Sequence, residues 1–79
     1  MQVIEERVAE ILSGQFKVKK DVITPDVTFR KLSFDSLVLI ELSLVLEKEF
    51  QVALEEGDLT DRLTIRDVAD LLSDKGAVV

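Results

Sequence analysis

The apolar positions near the start of the chain recur three or four residues apart, the spacing of one face of an α-helix. They are Val3, Ile4, Val8, Ile11 and Leu12. Gly14 follows as a natural helix stop, so the pattern predicts a first amphipathic helix over roughly residues 2–13.

Residues 14–34 form a long predicted connection that holds the only proline of the chain, Pro25, and a basic cluster. A long loop in a small domain is usually functional or is pinned by its own apolar side chains. Val22-Ile23-Thr24 has the composition of a short strand, but no pairing partner is evident. Pinning is favoured by apolar residues spread along the segment: Phe16, Val18, Val22, Ile23, Val27, Phe29 and Leu32.

Two helices and a short acidic segment fill the second half. Asp35 is the predicted N-cap of a long helix from Ser36 to about Phe50. Leu54 to Asp61 is acidic, is broken by Gly57, and is consistent with one short helical turn. Thr64-Ile65-Arg66-Asp67 matches a capping box with Asp for Glu, and the helix it opens ends before Gly76. We therefore predict an all-α fold for residues 1–79 as one domain: a small four-helix bundle with three longer helices, one short third helix and a long first loop.

The second helix carries two apolar stripes. At about 100° per residue, Leu39, Leu42, Leu46 and Phe50 share the side assigned to the core. A helix that is apolar all round is normally buried, yet few elements are available here to enclose it. The alternative is a stripe left exposed for a partner, which apolar anchors among charged residues favour. The second side comprises Ser36 at its edge, Leu37, Ile40 and Leu44, interleaved with Glu41, Glu47 and Lys48; Val38 and Val45 lie between the two sides.

The amino-acid composition limits which kinds of catalytic and metal-binding sites the chain can form. Hydrophobic residues make up 47% of the 79, enough for a folded protein. With no Cys and no His, thiol and imidazole nucleophiles and metal sites built from Cys or His are excluded, and an enzyme would have to rely on carboxylates, Lys or Ser alone. We expect neither catalytic residues nor a metal site. No run approaches the ~18 apolar residues of a membrane span, and the first seven residues do not resemble a signal peptide. We expect a cytoplasmic monomer.

The charge distribution says more than the net charge of −6. Residues 17–31 contribute +3, whereas residues 35–61 contribute −7, with eight acidic side chains against Lys48 alone. This acidic block argues against nucleic acid as a partner, because phosphates would be repelled. It favours basic patches on protein partners, although a merely solvated surface is the alternative.

An Asp-Ser pair at a helix start usually means only capping, but its surroundings here are distinctive. The chain has Leu32-Ser33-Phe34-Asp35-Ser36-Leu37, then Ile40-Glu41-Leu42 and Leu46-Glu47-Lys48-Glu49-Phe50. This run resembles the acyl carrier protein family, whose pattern is leucine, glycine, any residue and Asp-Ser-Leu, leading into a helix whose end reads leucine, three mostly acidic residues and phenylalanine. The likeness covers the whole chain, from Ile4-Glu5-Glu6-Arg7-Val8 to Thr64-Ile65-Arg66-Asp67.

The resemblance implies that a phosphopantetheinyl transferase attaches 4′-phosphopantetheine to Ser36, with Asp35 capping the helix where the transferase and its metal work. It also implies partners such as ketosynthases, acyltransferases and other acyl-processing enzymes with basic docking patches. The residues implied in partner recognition are Leu37, Val38, Ile40, Glu41, Leu44, Glu47 and Lys48. A pocket for the acyl chain, found in this family, would be lined by Leu46, Leu54, Leu59 and Leu63.

Departures from the pattern bear on the pathway. Ser33 replaces the usual glycine, and Val38 and Lys48 stand where carriers of bacterial fatty acid synthesis have acidic residues. Phe34 and the apolar Val38 resemble carriers of polyketide or other specialised pathways, the assignment we favour. The alternatives are a housekeeping fatty acid carrier, an aminoacyl or peptidyl carrier and, in a different class, an unmodified helical interaction module. An enzyme is disfavoured because no general base or oxyanion arrangement is evident beside Ser36.

Overall fold

The computed structural model describes residues 3–77, which form three α-helices. These are α1 (Val3–Gln15), α2 (Ser36–Phe50) and α3 (Ile65–Asp74), with one 3-10 turn at Lys20–Val22. The three longer helices predicted from the sequence are confirmed. Helix α1 runs past its expected stop because the residue that adopts the left-handed conformation is Lys17, with φ +58°, and not Gly14. The helix closes there, where the Leu12 carbonyl accepts from the Val18 N–H at 3.0 Å.

The short third helix is the part of the predicted four-helix bundle that the structure does not contain. Residues 54–63 are turns instead. Gly57 adopts φ +92°, outside the helical region, which breaks any helix at its middle. The Asp58 carboxylate accepts from the Glu55 N–H at 2.9 Å, and the Asp58 N–H donates to the Glu55 carbonyl at 3.0 Å. This closed turn satisfies the backbone locally and replaces a helical start.

The core lies where the three helices meet the long connection between α1 and α2. The predicted core side of α2 is buried, and α3 contributes Ile65, Val68 and Leu72. Phe29 is fully buried although it belongs to no helix, so the connection is pinned by its own apolar residues as expected. Val22-Ile23-Thr24 does not form a strand, because Val22 ends the 3-10 turn.

Backbone hydrogen bonds tie the long connection to the segment that leads into α3. The Phe29 N–H donates to the Leu63 carbonyl at 3.1 Å, and the Arg30 N–H donates to the Asp61 carbonyl at 2.8 Å. Further on, the Ile65 N–H donates to the Val27 carbonyl at 3.3 Å. These contacts hold in place the two loops that flank the start of α2. Within residues 3–77, no helix has both the length and the apolar character to cross a bilayer.

Candidate functional site

The start of α2 presents Ser36 to solvent on a fixed helix terminus. Ser36 is exposed and is the first helical residue. Asp35 is the N-cap, as predicted, because its backbone is extended and its Oδ1 accepts from the Val38 N–H at 2.9 Å. The cap uses Asp35 alone, which leaves the Ser36 hydroxyl available for chemistry.

The residues before Asp35 fix the direction in which the chain enters α2. The Phe34 N–H donates to the Phe29 carbonyl at 3.0 Å, and the two rings lie 5.5 Å apart between centroids. Phe34 also packs on Phe16, with ring centroids 5.7 Å apart. Because Phe34 is buried, it fixes the start of α2 against the core. The two residues that follow it, Asp35 and Ser36, lie at the surface.

This terminus fits a covalently attached phosphate group. The first N–H groups of an α-helix have no partner within the helix, and their aligned dipoles place partial positive charge there. A phosphodiester on the Ser36 hydroxyl would sit at this positive end, where anions are favoured. The exposure of Ser36 also leaves its hydroxyl open to a modifying enzyme.

The two apolar stripes of α2 separate as the periodicity predicted. Leu42, Leu46 and Phe50 are completely buried. On the other side the exposed fractions are 63% for Leu37, 57% for Ile40 and 62% for Leu44. The alternative of complete burial is therefore excluded for this helix.

The charged residues predicted for recognition frame this exposed stripe. Glu41 and Lys48 are exposed, and Glu47 is half-buried. Val38 is half-buried at the edge of the stripe. We call Leu37, Val38, Ile40, Glu41, Leu44, Glu47 and Lys48 the docking face.

A cleft adjoins Ser36 on one side of α2. Its volume is about 430 Å³, and its far wall is the turn segment that includes Glu55, Glu56 and Leu59. Of the four leucines predicted to line an acyl pocket, the structure places Leu59 in this cleft. Leu46 is completely buried in the core, and Leu54 and Leu63 are half-buried against it.

A larger groove lies on the other side of α2 and was not predicted from the sequence. It has a volume of about 940 Å³ and runs between the long connection and the start of α2. Val38 and Glu41 line it from the helix, and Lys17, Lys31 and Ser33 line it from the connection. The sequence signal for it is the set of apolar residues in the connection that the core does not fully bury and that line the groove: Phe16, Val18, Val22 and Leu32.

An ion pair secures the wall of the cleft to the end of α3. The Lys75 Nζ lies 3.0 Å from the Asp58 Oδ2, and both side chains are partly covered. The Glu55 N–H, and then the Lys75 ammonium, hold the pKa of the Asp58 carboxyl below its usual value. Asp58 in turn raises the pKa of Lys75. The pair therefore stabilises the turn segment that forms the cleft.

Replacing Lys75 by Met is expected to lower the thermal midpoint at neutral pH by a small amount, because the pair is near the surface. The stability that Asp58 contributes is present above its unfolded pKa of 3.8 and is lost as the pH falls through its lower folded pKa. The midpoints of wild type and Lys75→Met should therefore converge in acid, as followed by circular dichroism. A gap that does not narrow as the pH falls below 3.8 would refute the ion pair as its cause.

The structure so far defines a small helical protein with an exposed serine at the start of α2 and an exposed apolar stripe on the same helix. In agreement, residues 6–72 match the family described as phosphopantetheine attachment site. The acyl carrier protein of Nitratidesulfovibrio vulgaris strain DP4 is 34% identical over 73 residues, covering 91% of this chain and 96% of that protein. That of Petrotoga mobilis is 37% identical over 71 residues, covering 89% and 84%.

A third similar protein has a more specific name. The granaticin polyketide synthase acyl carrier protein of Streptomyces violaceoruber is 44% identical over 48 residues, covering 61% of this chain and 56% of that protein. Taken with the match over residues 6–72, these similarities show that the chain belongs to the acyl carrier protein family. Members carry 4′-phosphopantetheine covalently on a serine, are not catalysts, and interact with acyl-processing enzymes.

Proposed function

We propose that Ser36 is the serine that bears the phosphopantetheine arm. The observation that carries this proposal is the position of Ser36, exposed as the first residue of α2 directly after the Asp35 cap. The chain has four other serines, and none begins a helix. The hydroxyls of Ser13 and Ser43 donate to backbone carbonyls one turn earlier, which occupies them within their helices.

Loading is a phosphoryl transfer in which this chain supplies the acceptor. The Ser36 oxygen forms a bond to phosphorus, the pyrophosphate bond of coenzyme A breaks, and adenosine 3′,5′-bisphosphate leaves while the hydroxyl proton is lost. Asp35 holds the helix start in place throughout, since its carboxylate is bound to the Val38 N–H. Once attached, the arm ends in a thiol that holds acyl groups as thioesters.

The docking face is proposed to deliver these acyl groups to ketosynthases, acyltransferases and other enzymes with basic patches. Exposed Leu37, Ile40 and Leu44 supply apolar anchors, and Glu41 supplies a negative charge beside them. A few anchors with surrounding charge favour fast encounter and rapid release. A carrier that visits several enzymes needs both.

For the pathway, we propose polyketide or related biosynthesis. Support comes from the 44% identity to the granaticin carrier and from an apolar Val38 on a docking face that also contains Lys48. A housekeeping role in fatty acid synthesis is the second candidate, because the bacterial relatives that match most of the chain are named simply acyl carrier protein. The polyketide role and the fatty acid role differ in which ketosynthase accepts the loaded protein.

The test of the attachment site is an intact mass after incubation with coenzyme A, magnesium and a broad-specificity phosphopantetheinyl transferase. We expect the gain of one phosphopantetheinyl group, and fragmentation should locate it on Ser36. A group found on another serine, or no gain in mass, would refute the proposal. For the pathway, the malonyl-loaded protein is offered to a polyketide and to a fatty acid ketosynthase, and faster condensation by the latter would overturn the polyketide assignment.

A further inference from the structure

The groove beside the long connection has the dimensions of a ligand site. Its volume of about 940 Å³ is more than twice that of the cleft next to Ser36, about 430 Å³. Sites for small molecules commonly measure about 300–1,000 Å³. The groove is therefore large enough to take an acyl group together with part of the arm.

The linings of the two depressions differ in chemistry. In the groove, the apolar side chains of Val18, Val27 and Phe34 lie beside hydrogen-bond donors from Lys17 and Lys31. Three carboxylates also line the groove, those of Asp21, Asp26 and Glu41, so its lining is mixed in charge. In the cleft, every charged group of the lining is a carboxylate, which only accepts hydrogen bonds: Asp35, Glu55, Glu56 and Asp61.

The backbone of the groove rim adopts a conformation that side chains disfavour. Lys17 has φ +58° and Ser33 has φ +64°. Glycine would adopt this left-handed conformation without the penalty that a Cβ brings. Of the residues in 3–77, one other that is not glycine has positive φ, and it is Gln51, the C-cap of α2. Lys17 adopts the left-handed conformation where α1 ends, as Gln51 does where α2 ends, and Ser33 adopts it where the family pattern has glycine. Two residues with donor side chains thus occupy rim positions whose backbone also suits glycine.

The groove is within reach of a group attached to Ser36. Ser33 lies on the rim of the groove, three residues before Ser36. Because three residues of chain span at most about 11 Å, the backbone of Ser36 is no further than that from the rim. A phosphopantetheine arm has about thirteen chain atoms between its ester oxygen and its sulfur. At roughly 3.5 Å for every three chain atoms, it extends about 15 Å, so it can cross the start of α2 and place its thioester in the groove.

We infer that this groove receives the acyl chain when that chain bears ketone oxygens, a β-ketoacyl or poly-β-ketoacyl group tethered to Ser36. The inference rests on the proposed function. Ketone oxygens are acceptors, and Lys17, Lys31 and Ser33 are donors that can meet them. The apolar floor covers the carbon segments between them. The lining of the cleft has no cationic donor, so the cleft is left to chains without such oxygens.

The test uses whole protein loaded by the transferase with stable amide analogues of two acyl groups, octanoyl and 3,5-dioxo-octanoyl. Intact mass first establishes that each sample is fully loaded on Ser36. Amide chemical shifts are then compared with those of protein bearing the unacylated arm. For the dioxo chain, we expect changes at Thr24 and Leu32 in the groove to be at least twice those at Leu59 and Thr60 in the cleft. For octanoyl, this preference should be absent.

The double variant Lys17→Gly/Ser33→Gly removes two donors and relieves the strained backbone, so it should fold at least as well as wild type. It should reduce the shift changes in the groove at least twofold. Gln51→Gly, at the third positive-φ position, is the matched control and should leave them unchanged. Changes confined to the cleft, equal changes for both chains, or none in a fully loaded sample would overturn the groove assignment. Failure to load would appear in the mass spectrum and refute the proposed function instead, and the groove assignment with it.

Discussion

Replacing Ser36 with alanine is expected to abolish loading by the transferase, with no phosphopantetheinyl group detectable in the intact mass. Its hydroxyl is the acceptor that we propose, and no other serine begins a helix. The fold should survive, because Ser36 is exposed and the Asp35 cap binds the Val38 N–H through its own carboxylate. The free energy of unfolding in urea should therefore change by no more than about 0.5 kcal/mol.

Ser73→Ala is the matched control, since Ser73 is an exposed serine on α3 and lies outside the depressions that flank α2. It should load as fast and as completely as wild type. Equal mass gain in Ser36→Ala and wild type would mean that the arm is attached elsewhere. A Ser36→Ala protein that neither loads nor folds would mean that Ser36 is structural, so the unfolding curve must accompany the mass spectrum.

The features of this fold that could be predicted from the sequence are those that depend on neighbouring residues. The Asp35 cap and the capping box of Thr64 and Asp67 each involve side chains three residues from the backbone groups they bind. The division of α2 into buried and exposed sides follows from 3.6 residues per turn alone. Both predictions were therefore confirmed at the level of single residues.

The features that could not be predicted depend on how distant segments meet. A short helix at 54–61 was plausible from composition, but Asp58 instead closes a turn with Glu55 and pairs with Lys75, which is seventeen residues away. Periodicity within one helix likewise cannot show which of its sides borders a cavity. The groove beside Val38 exists because the long connection is pinned by Phe29 and Phe34, and that packing is not visible in the local pattern.

If Ser36 bears the arm as proposed, its position relative to the docking face allows one helix to serve both loading and recognition. Ser36 borders the cleft, together with Ile40, whereas Val38 and Glu41 border the groove. The exposed side chains of Leu37 and Leu44 lie on the ridge between these depressions. An enzyme that docked on this ridge would cover the proposed attachment point and the mouths of both depressions at once, so it could receive an acyl chain from either one.

Reversing the charge of Glu41 is expected to give the second large effect, a roughly tenfold lower association rate with enzymes that present a basic patch. Glu41 is exposed beside Ile40, so Glu41→Lys places a positive charge against the patch without touching the core. Glu47→Lys should weaken binding less, because Glu47 is half-buried and lies a turn and a half further from Ser36. Stopped-flow kinetics at two salt concentrations provide the measurement.

Asp70→Lys is the control, as it makes the same charge change at an exposed position on α3, away from the docking face. It should alter association only through the net charge of the molecule, by much less than tenfold. The loss of association rate caused by Glu41→Lys should be smaller in high salt, because salt screens both attraction and repulsion between exposed charges. If Glu41→Lys and Glu47→Lys both associate with partner enzymes as fast as wild type does, these enzymes do not recognise the carboxylates of α2. The exposed apolar side chains Leu37, Ile40 and Leu44 would then have to account for recognition alone.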